Sequence, residues 1–339
     1  MVIFGAGASY DSLARSPPTN PPQDDPLRNL RPPLANQLFE PRWGPFIQQF
    51  HQAGSLISDL EKGTEVEEQL ERFQNDAQQY PKLRVPLTAI RYYLQAMLSS
   101  CQANWNNETN GVTNYKPLVF AIDRWVTGEK VFVSFNYDTL LEEAIRSTLG
   151  RRFFTLDAYI GGGLKVIKPH GSINWWHYVD SPQLTQRHIF PDDRTSALID
   201  SADEMRINPA FEIDAPKSVI DHAKSLIPAL SIPVATKSEY ECPDDHQSAL
   251  AQSFPKITKV LVIGWRATEN RFLNSFARGI GKNRPSFLVV SKDDVSALQV
   301  EQTIKSRLEE NGASAEYSHL PYGFSTAIKN HDFDGFLKS

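Results

Sequence analysis

Cysteine is scarce in this sequence, and its scarcity excludes two kinds of architecture. Among 339 residues there are 2 cysteines, Cys101 and Cys242, which stand far apart and form no C-x-x-C pair. A zinc module made from four cysteines is therefore impossible, and a fold held together by disulfides is not expected. We expect both residues to be free thiols, and we expect no zinc.

Long apolar runs and a surplus of positive charge are also missing. No stretch approaches the roughly 20 apolar residues that a membrane-spanning helix needs, and no leader pattern of basic, apolar and small residues opens the chain. The formal net charge is −5, so the chain as a whole does not attract nucleic acid or anionic lipid. We therefore predict a cytoplasmic protein that binds neither membranes nor nucleic acid directly.

Apolar strand candidates alternate with helical segments over much of the chain. Strands are predicted at 2–4, 131–135, 164–168, 230–234, 259–265, 286–291 and, as an edge strand, 315–321. Helices are predicted at 117–126, 139–149, 268–282 and 293–311, with Gly150 ending the second of them. This alternation indicates an α/β fold with a Rossmann-like parallel sheet covered by helices on both faces. We predict a single domain over residues 1–339.

Several segments interrupt the alternation. The prolines of 16–33 exclude a regular helix or inner strand, and this segment is either a linker or a cover over a ligand. Residues 34–104 carry apolar side chains at helical spacing, which indicates a helical insertion within the domain. The asparagine-rich segment 104–114 is predicted to be a surface loop. Residues 177–228 show weak periodicity and mixed charge.

A small-residue turn, Gly5-Ala6-Gly7-Ala8-Ser9, follows the first predicted strand. Such a turn lets backbone N–H groups approach a phosphate, and the N-terminus of a following helix adds partial positive charge. The third glycine of the full dinucleotide-binding fingerprint is missing, since Tyr10 follows Ser9. Glycine pairs also occur in ordinary loops, so this turn needs the support of other motifs.

Polar side chains follow two further predicted strands. Asn136 and Asp138 can cap the next helix with their side-chain oxygens, or they can bind a ligand, Asn136 through a ribose hydroxyl or a water and Asp138 through an amide. His170 stands between a proline and a glycine, a setting that predicts an exposed imidazole suited to act as a general base. Gly264 also follows a strand. Because ligands of parallel sheets bind beyond the carboxyl ends of strands, we expect all these groups in one crevice.

Together these motifs resemble the sirtuin-like (SIR2-like) NAD-binding family, and specifically its bacterial NAD-hydrolysing branch that acts in anti-phage defence. The turn at 5–9 resembles the family's glycine–alanine turn, Asn136-Tyr137-Asp138 resembles its Asn-x-Asp motif, and His170-Gly171 resembles its catalytic His-Gly pair. The strand and glycine at 259–265 resemble the part that borders the adenosine half of the cofactor. The resemblance spans residue 1 to about residue 291.

The resemblance implies a role for each matching position. Asn136 would lie near the nicotinamide ribose, Asp138 would face the carboxamide, and His170 would be the catalytic base. The residues implied in cofactor binding are Gly5, Ala6 and Ser9 at the pyrophosphate, with Gly7, Asn136, Asp138 and Gly264 also against NAD+.

The sequence departs from the family in two places. The cysteine pairs of the protein-deacylating sirtuins are missing, which favours water as the acceptor and predicts an NAD+ glycohydrolase that yields nicotinamide and ADP-ribose. Trp265-Arg266-Ala267 follows the later glycine where the family usually has a small hydroxyl residue, and we expect Trp265 to pack rather than to stack on the ligand. The insertion 34–104 takes the place of the zinc-bearing lobe and is predicted to form a cap or an assembly surface.

Two other functions remain open, and the predicted activity itself implies control. One alternative is a non-catalytic module that senses NAD or ADP-ribose, and a weaker one is an NAD-dependent protein deacylase or ADP-ribosyltransferase. An unrestrained NAD hydrolase would poison its own cell. We therefore expect a homo-oligomer or an activating partner protein, such as a separately encoded ATPase.

Overall fold

The computed structural model describes residues 1–18, 25–54, 56–57, 66–180, 194–214, 225–234 and 240–338. The strands in this part of the chain are β1 (Val2–Phe4), β2 (Lys130–Ser134), β3 (Leu164–Ile167), β4 (Gly171–Asp180), β5 (Arg206–Ile213), β6 (Ser225–Leu230), β7 (Lys259–Ile263), β8 (Ser286–Val290) and β9 (Glu316–Leu320). The helices are α1 (Ala6–Tyr10), α2 (Gly44–Gln49), α3 (Val66–Gln79), α4 (Arg84–Thr109), α5 (Tyr115–Trp125), α6 (Leu140–Leu149), α7 (Asp157–Ile160), α8 (Arg194–Asp200), α9 (Asp244–Ser253), α10 (Asn270–Ile280), α11 (Asp294–Glu310), α12 (Gly323–Asn330) and α13 (Phe333–Lys338).

A six-stranded parallel sheet forms the centre of the protein, with the strand order β3-β2-β1-β7-β8-β9. This is the 3-2-1-4-5-6 order of Rossmann folds, whose ligands bind where the order reverses, here between β1 and β7. Phe4 of β1 lies opposite Ser134 of β2 on one side and Ile263 of β7 on the other. The predicted strands at 2–4, 131–135, 164–168, 259–265, 286–291 and 315–321 are all confirmed, the last of them at the sheet edge.

Helices cover both faces of this sheet, because successive strand residues point to opposite sides. On one face, Phe4 and Phe132 share a hydrophobic core with residues of α5, α6 and α12. On the other face, Ile3 and Val133 share a core with residues of α10 and α11. The predicted Rossmann-like sheet with two helical layers is confirmed. Gly150 ends α6 in the left-handed conformation, at φ 70°, as predicted.

A second sheet, antiparallel and in the order β5-β4-β6, begins directly after His170. The sequence analysis did not predict β4 or β5, and its strand at 230–234 is wrong, since β6 ends at Leu230. Along β4 burial alternates, with Trp175 and His177 buried between half-buried neighbours, so the signal was a period of two. Pro228 stands within β6, and because a proline argues against a strand, the sequence pattern did not indicate one there. A proline is tolerated there because β6 is an edge strand.

The described residues of 34–104 are mainly helical, as predicted, and pack on the second sheet. The predicted loop at 104–114 is wrong over its first part, because α4 continues to Thr109. Trp105 and Thr109 extend the buried stripe of Cys101 at intervals of four residues, and the Trp105 indole donates to Ser12 Oγ at 2.8 Å. This packing outweighs the loop preference of the asparagines.

The structure also bears on the two cysteines and on membrane-spanning helices. Both cysteines are free and buried, and burial raises the pKa of each thiol to about 12. Neither is therefore a ready nucleophile. Among the helices of the described segments, none has the length and apolar character that would be needed to cross a membrane.

Candidate functional site

A cavity of about 930 Å³ opens beyond the carboxyl ends of β1, β2, β3, β7 and β8. Its volume lies in the range of small-molecule and cofactor sites. Each residue predicted for the site is on the wall of this cavity, namely Gly5, Ala6, Gly7, Ser9, Asn136, Asp138, His170 and Gly264. The fold therefore brings together side chains from three distant motifs at the point where the strand order reverses.

The glycine turn lies against the backbone of the turn that follows β7. A Cβ atom on Gly5 would lie 2.6 Å from Gly264 O, and one on Gly7 would lie 2.9 Å from Gly264 Cα. The two amides also have protein acceptors, since Gly5 N donates to Ile263 O at 3.1 Å and Gly7 N to Gly264 O at 3.0 Å. Backbone packing therefore requires this glycine spacing whether or not a phosphate binds.

The Ser9 hydroxyl is the centre of a buried hydrogen-bond cluster. It donates to Asp138 Oδ2 at 2.7 Å and accepts from Asn136 Nδ2 at 2.9 Å. The Tyr115 hydroxyl lies 2.8 Å from Ser9 Oγ, and since the Ser9 proton goes to Asp138, Tyr115 is the donor. Burial, with Asp138 nearby, raises the pKa of Tyr115 and keeps it protonated. The hydroxyl that the family resemblance assigns to a pyrophosphate is thus fully bonded within the protein.

Asn136 and Asp138 take different structural roles. The Asn136 amide also donates to Gly5 O at 3.0 Å, so it joins the turns that follow β1 and β2. Asp138 Oδ1 accepts from Leu140 N at 3.2 Å, so it satisfies the first amide of α6 from the position before the N-cap residue, Thr139. For Asn136 the capping role is wrong, because its side-chain amide is directed at the glycine turn.

His170 is buried, at 3% exposed, and the predicted exposure of its side chain is wrong. The ring centroid lies 5.0 Å from that of Phe135 and 6.2 Å from that of Tyr137. Nδ1 lies 3.1 Å from Phe135 O, which can only accept, so Nδ1 carries the proton. In the neutral ring the lone pair is then on Nε2, which lies 3.9 Å from Glu269 Oε1.

Glu269 is a residue of the cavity wall that the sequence analysis missed. Its Oε2 accepts from Trp265 Nε1 and, at 3.4 Å, from Thr268 Oγ1. Trp265 is 4% exposed and stacks on Phe135 with ring centroids 5.2 Å apart, so the predicted packing role is confirmed. Its position in the sequence could have indicated it, because Glu269 lies between a strand and the start of a helix, as Asp138 does.

The proline segment and the helical insertion also contribute to the cavity wall. Pro18, Pro32 and Pro33 line the cavity, as do Gln37 and Glu67 of the region after residue 34. The described residues of the proline segment therefore form part of the cavity wall, as a cover over a ligand would, while its residues 19–24 lie outside the described part.

Buried Arg31 fixes the proline segment in place. Its guanidinium donates to Tyr10 O at 2.9 Å, to Ser16 O and to the carboxylate of Asp25. At the rim, Arg266 donates to both carboxylate oxygens of Glu67 at 2.8 and 3.0 Å. Arg31 thus ties the cover to α1, and Arg266 ties the β7 turn to α3.

A buried ion pair lies beneath the turn that carries His170. Lys168 Nζ lies 2.9 Å from Glu142 Oε1 of α6 and also donates to Asp138 O. Both charges are almost fully removed from solvent, which is favourable only because each has a partner. The pair joins β3, the Asp138 turn and α6. A second cavity, of about 640 Å³, has Glu142 in its wall and contains none of the predicted site residues.

Glu241 joins the His170 turn to the second sheet and to the insertion. Its amide donates to Pro169 O at 2.8 Å, and its carboxylate accepts from His177 Nε2 at 2.7 Å and pairs with Arg91 at 3.5 Å. Burial opposes ionisation of this carboxyl, but Arg91 and His177 outweigh it and lower the pKa of Glu241.

We expect Glu241→Gln to be less stable than the wild type at pH 7 by about 1.5 to 3 kcal/mol. A lowered pKa in the folded state stabilises the protein above the ordinary value of about 4.5, and that contribution disappears as the pH falls through the lowered pKa. Urea unfolding at pH 7 and at acid pH should therefore show that the difference in free energy of unfolding between the wild type and Glu241→Gln narrows below about pH 4.5. A loss of stability that is constant with pH would contradict the prediction. So would an equal loss of stability in the variant of an exposed glutamate, Glu310→Gln.

In the segments that the structure describes, no three His, Cys, Asp or Glu side chains are grouped so that they could hold a metal ion.

Comparison with known proteins does not assign the sequence to a family. No protein-family model matches the sequence, and no curated protein matches it. The fold and cavity define a Rossmann-like α/β protein with a candidate cofactor site at its switch point.

Proposed function

We propose that this protein is an NAD+ glycohydrolase, which cleaves NAD+ to nicotinamide and ADP-ribose. The observation that carries the proposal is the meeting of the glycine turn, Asn136, Asp138 and His170 in one cavity where the strand order reverses. That position is where Rossmann sheets bind dinucleotides. The choice of NAD+ and of hydrolysis rests on the motif resemblance to the sirtuin-like family.

The proposed reaction breaks the bond between the ribose C1′ and the pyridinium nitrogen of nicotinamide. The bonding electron pair leaves with nicotinamide, which becomes neutral, and positive charge develops on the ribose. The carboxylates of Asp138 and Glu269 on the cavity wall favour that charge. A water oxygen then bonds to C1′ and releases a proton to His170 Nε2, the ring nitrogen that has the lone pair.

Asn136 and Ser9 serve this reaction by shaping the wall. Asn136 holds the Gly5 carbonyl and Ser9, and Ser9 holds one oxygen of Asp138. The Asp138 carboxylate is thereby oriented from two sides, by Ser9 and by the Leu140 amide. In this proposal Asp138 presents its remaining acceptor positions to the nicotinamide carboxamide, and orientation of this kind is a large part of enzymatic rate enhancement.

The proposal is tested by incubating the purified protein with NAD+ and with NADH and separating the products by chromatography. We expect nicotinamide and ADP-ribose from NAD+ and no cleavage of NADH. NADH has no pyridinium charge, so its base would have to leave as an anion. Cleavage of both would contradict the mechanism. Binding of NAD+ without nicotinamide release, at any protein concentration, would leave two functions: the non-catalytic sensor, or an enzyme that needs an activating partner protein.

The proposal includes restraint of this activity until self-association or a partner protein, such as an ATPase, releases it. The reason is that unrestrained cleavage would remove NAD+ from the cell that makes the enzyme, and the anti-phage setting rests on the motif resemblance alone. Repeating the assay over a range of protein concentrations, alongside size-exclusion chromatography, tests this part. A monomer with full turnover and no partner would contradict it.

A further inference from the structure

The carboxylate of Glu269 faces the imidazole of His170 from a different part of the sheet. Glu269 follows β7, and His170 follows β3. Glu269 Oε1 lies 3.9 Å from His170 Nε2, which is too long for a hydrogen bond but close enough for a strong charge interaction. The side chains are 13% and 4% exposed, so solvent and salt screen the interaction weakly.

Phe135 connects His170 to Glu269 through Trp265. Phe135 accepts from His170 Nδ1 with its carbonyl and stacks on Trp265 with its ring. Trp265 in turn donates its indole N–H to Glu269 Oε2. The four residues therefore form a closed arrangement in which the imidazole and the carboxylate are held at a set separation.

Other titratable groups also surround His170. The Tyr137 ring packs against it, and Asp138, Glu67 and Arg266 stand on the same cavity wall. The charges of Arg266 and Glu67 are paired with each other, because Arg266 donates to the Glu67 carboxylate. Asp138 accepts from Ser9 and from the Leu140 amide.

We propose that Glu269 is a positioning residue for His170. It stabilises the imidazolium that forms when Nε2 accepts a proton, and it holds that nitrogen at the cavity wall. The kinetic consequence rests on the proposed NAD+ hydrolysis, but the coupling between the two side chains can be measured without turnover.

The test is Glu269→Gln, which keeps the size of the side chain and an oxygen for the Trp265 indole. A nearby carboxylate favours the protonated imidazole, so its removal should shift the midpoint of the His170 titration to lower pH by about one pH unit or more. NMR follows this titration, and the His170 signal is assigned by its absence in a His170 variant. The acid limb of the kcat/KM profile for NAD+ should move in the same direction. An unmoved midpoint would overturn the proposal.

Two further variants separate coupling from structural damage. Glu269→Asp retains the charge and should keep the midpoint closer to the wild-type value than Glu269→Gln does. Glu67→Gln removes another carboxylate of the same wall, which is paired with Arg266, and should leave the His170 midpoint in place. A shifted midpoint in a protein that never cleaves NAD+ would support the coupling and refute the proposed function. Lost turnover with an unmoved midpoint would refute the positioning role.

Discussion

His170→Asn is expected to reduce nicotinamide release from NAD+ by at least about 100-fold, the lower end of the contribution of a general base. The asparagine Nδ2 takes the place of the imidazole Nδ1 and can still donate to Phe135 O, which accepts from His170 at 3.1 Å. What the substitution removes is Nε2, the atom proposed to accept the proton of the attacking water. The measurement is the rate of nicotinamide release, with NAD+ binding and the melting temperature recorded alongside.

His246→Gln is the matched control for this prediction. His246 is also buried, at 1% exposed, and its Nε2 bonds to a backbone carbonyl, Leu156 O, at 3.0 Å. Burial lowers the pKa of His246, so the ring is neutral and a glutamine amide can replace its donor. This residue stands outside the 930 Å³ cavity, and its variant should retain the wild-type rate. Near wild-type turnover by His170→Asn would refute its assignment as the base.

Gly264→Ala is expected to lower the free energy of unfolding by more than about 4 kcal/mol, or to prevent recovery of folded protein. The added Cβ would lie 2.3 Å from Ala8 N and 2.4 Å from Gly7 C, and both are backbone atoms that cannot rotate away. The glycine also has φ +59°, where an alanine costs about 1 to 2 kcal/mol more. Chemical unfolding at neutral pH measures the loss.

Gly150→Ala separates the two causes of this loss. Gly150 has a similar φ of +70°, but no atom lies within 4 Å of an added Cβ. Its alanine variant should therefore lose only the conformational part, about 1 to 2 kcal/mol. Equal losses at the two positions would show that the contact between the two glycine turns is not tight.

The main sheet and the assembly of the cavity could be predicted because both follow from local patterns and one topological rule. Buried strands such as Lys130–Ser134 and Lys259–Ile263 appear as short apolar runs, and parallel strands present their carboxyl ends on one side. Asn136, Asp138 and His170 each follow such a run closely. Their convergence therefore required no knowledge of side-chain contacts.

The parts that could not be predicted depend on contacts between residues far apart in sequence. Trp105 keeps an asparagine-rich segment helical through packing and a bond to Ser12, and neither is visible in local propensity. The Ser9 hydroxyl is saturated by Tyr115, Asn136 and Asp138, which belong to other elements. Local sequence can place a polar side chain at a strand end, but it cannot show whether that group is already bonded.

The central position of β1 also determines when the site can exist during translation. β1 is made first, but in the finished sheet it lies between β2 and β7, and β7 begins only at Lys259. A nascent chain released or stalled before that point lacks the partner on one side of β1, and with it Gly264, Trp265 and Glu269. Since chains emerge from the ribosome N-terminus first, the cavity is completed late in synthesis. Copies of the protein that end before β7 therefore cannot assemble this cavity.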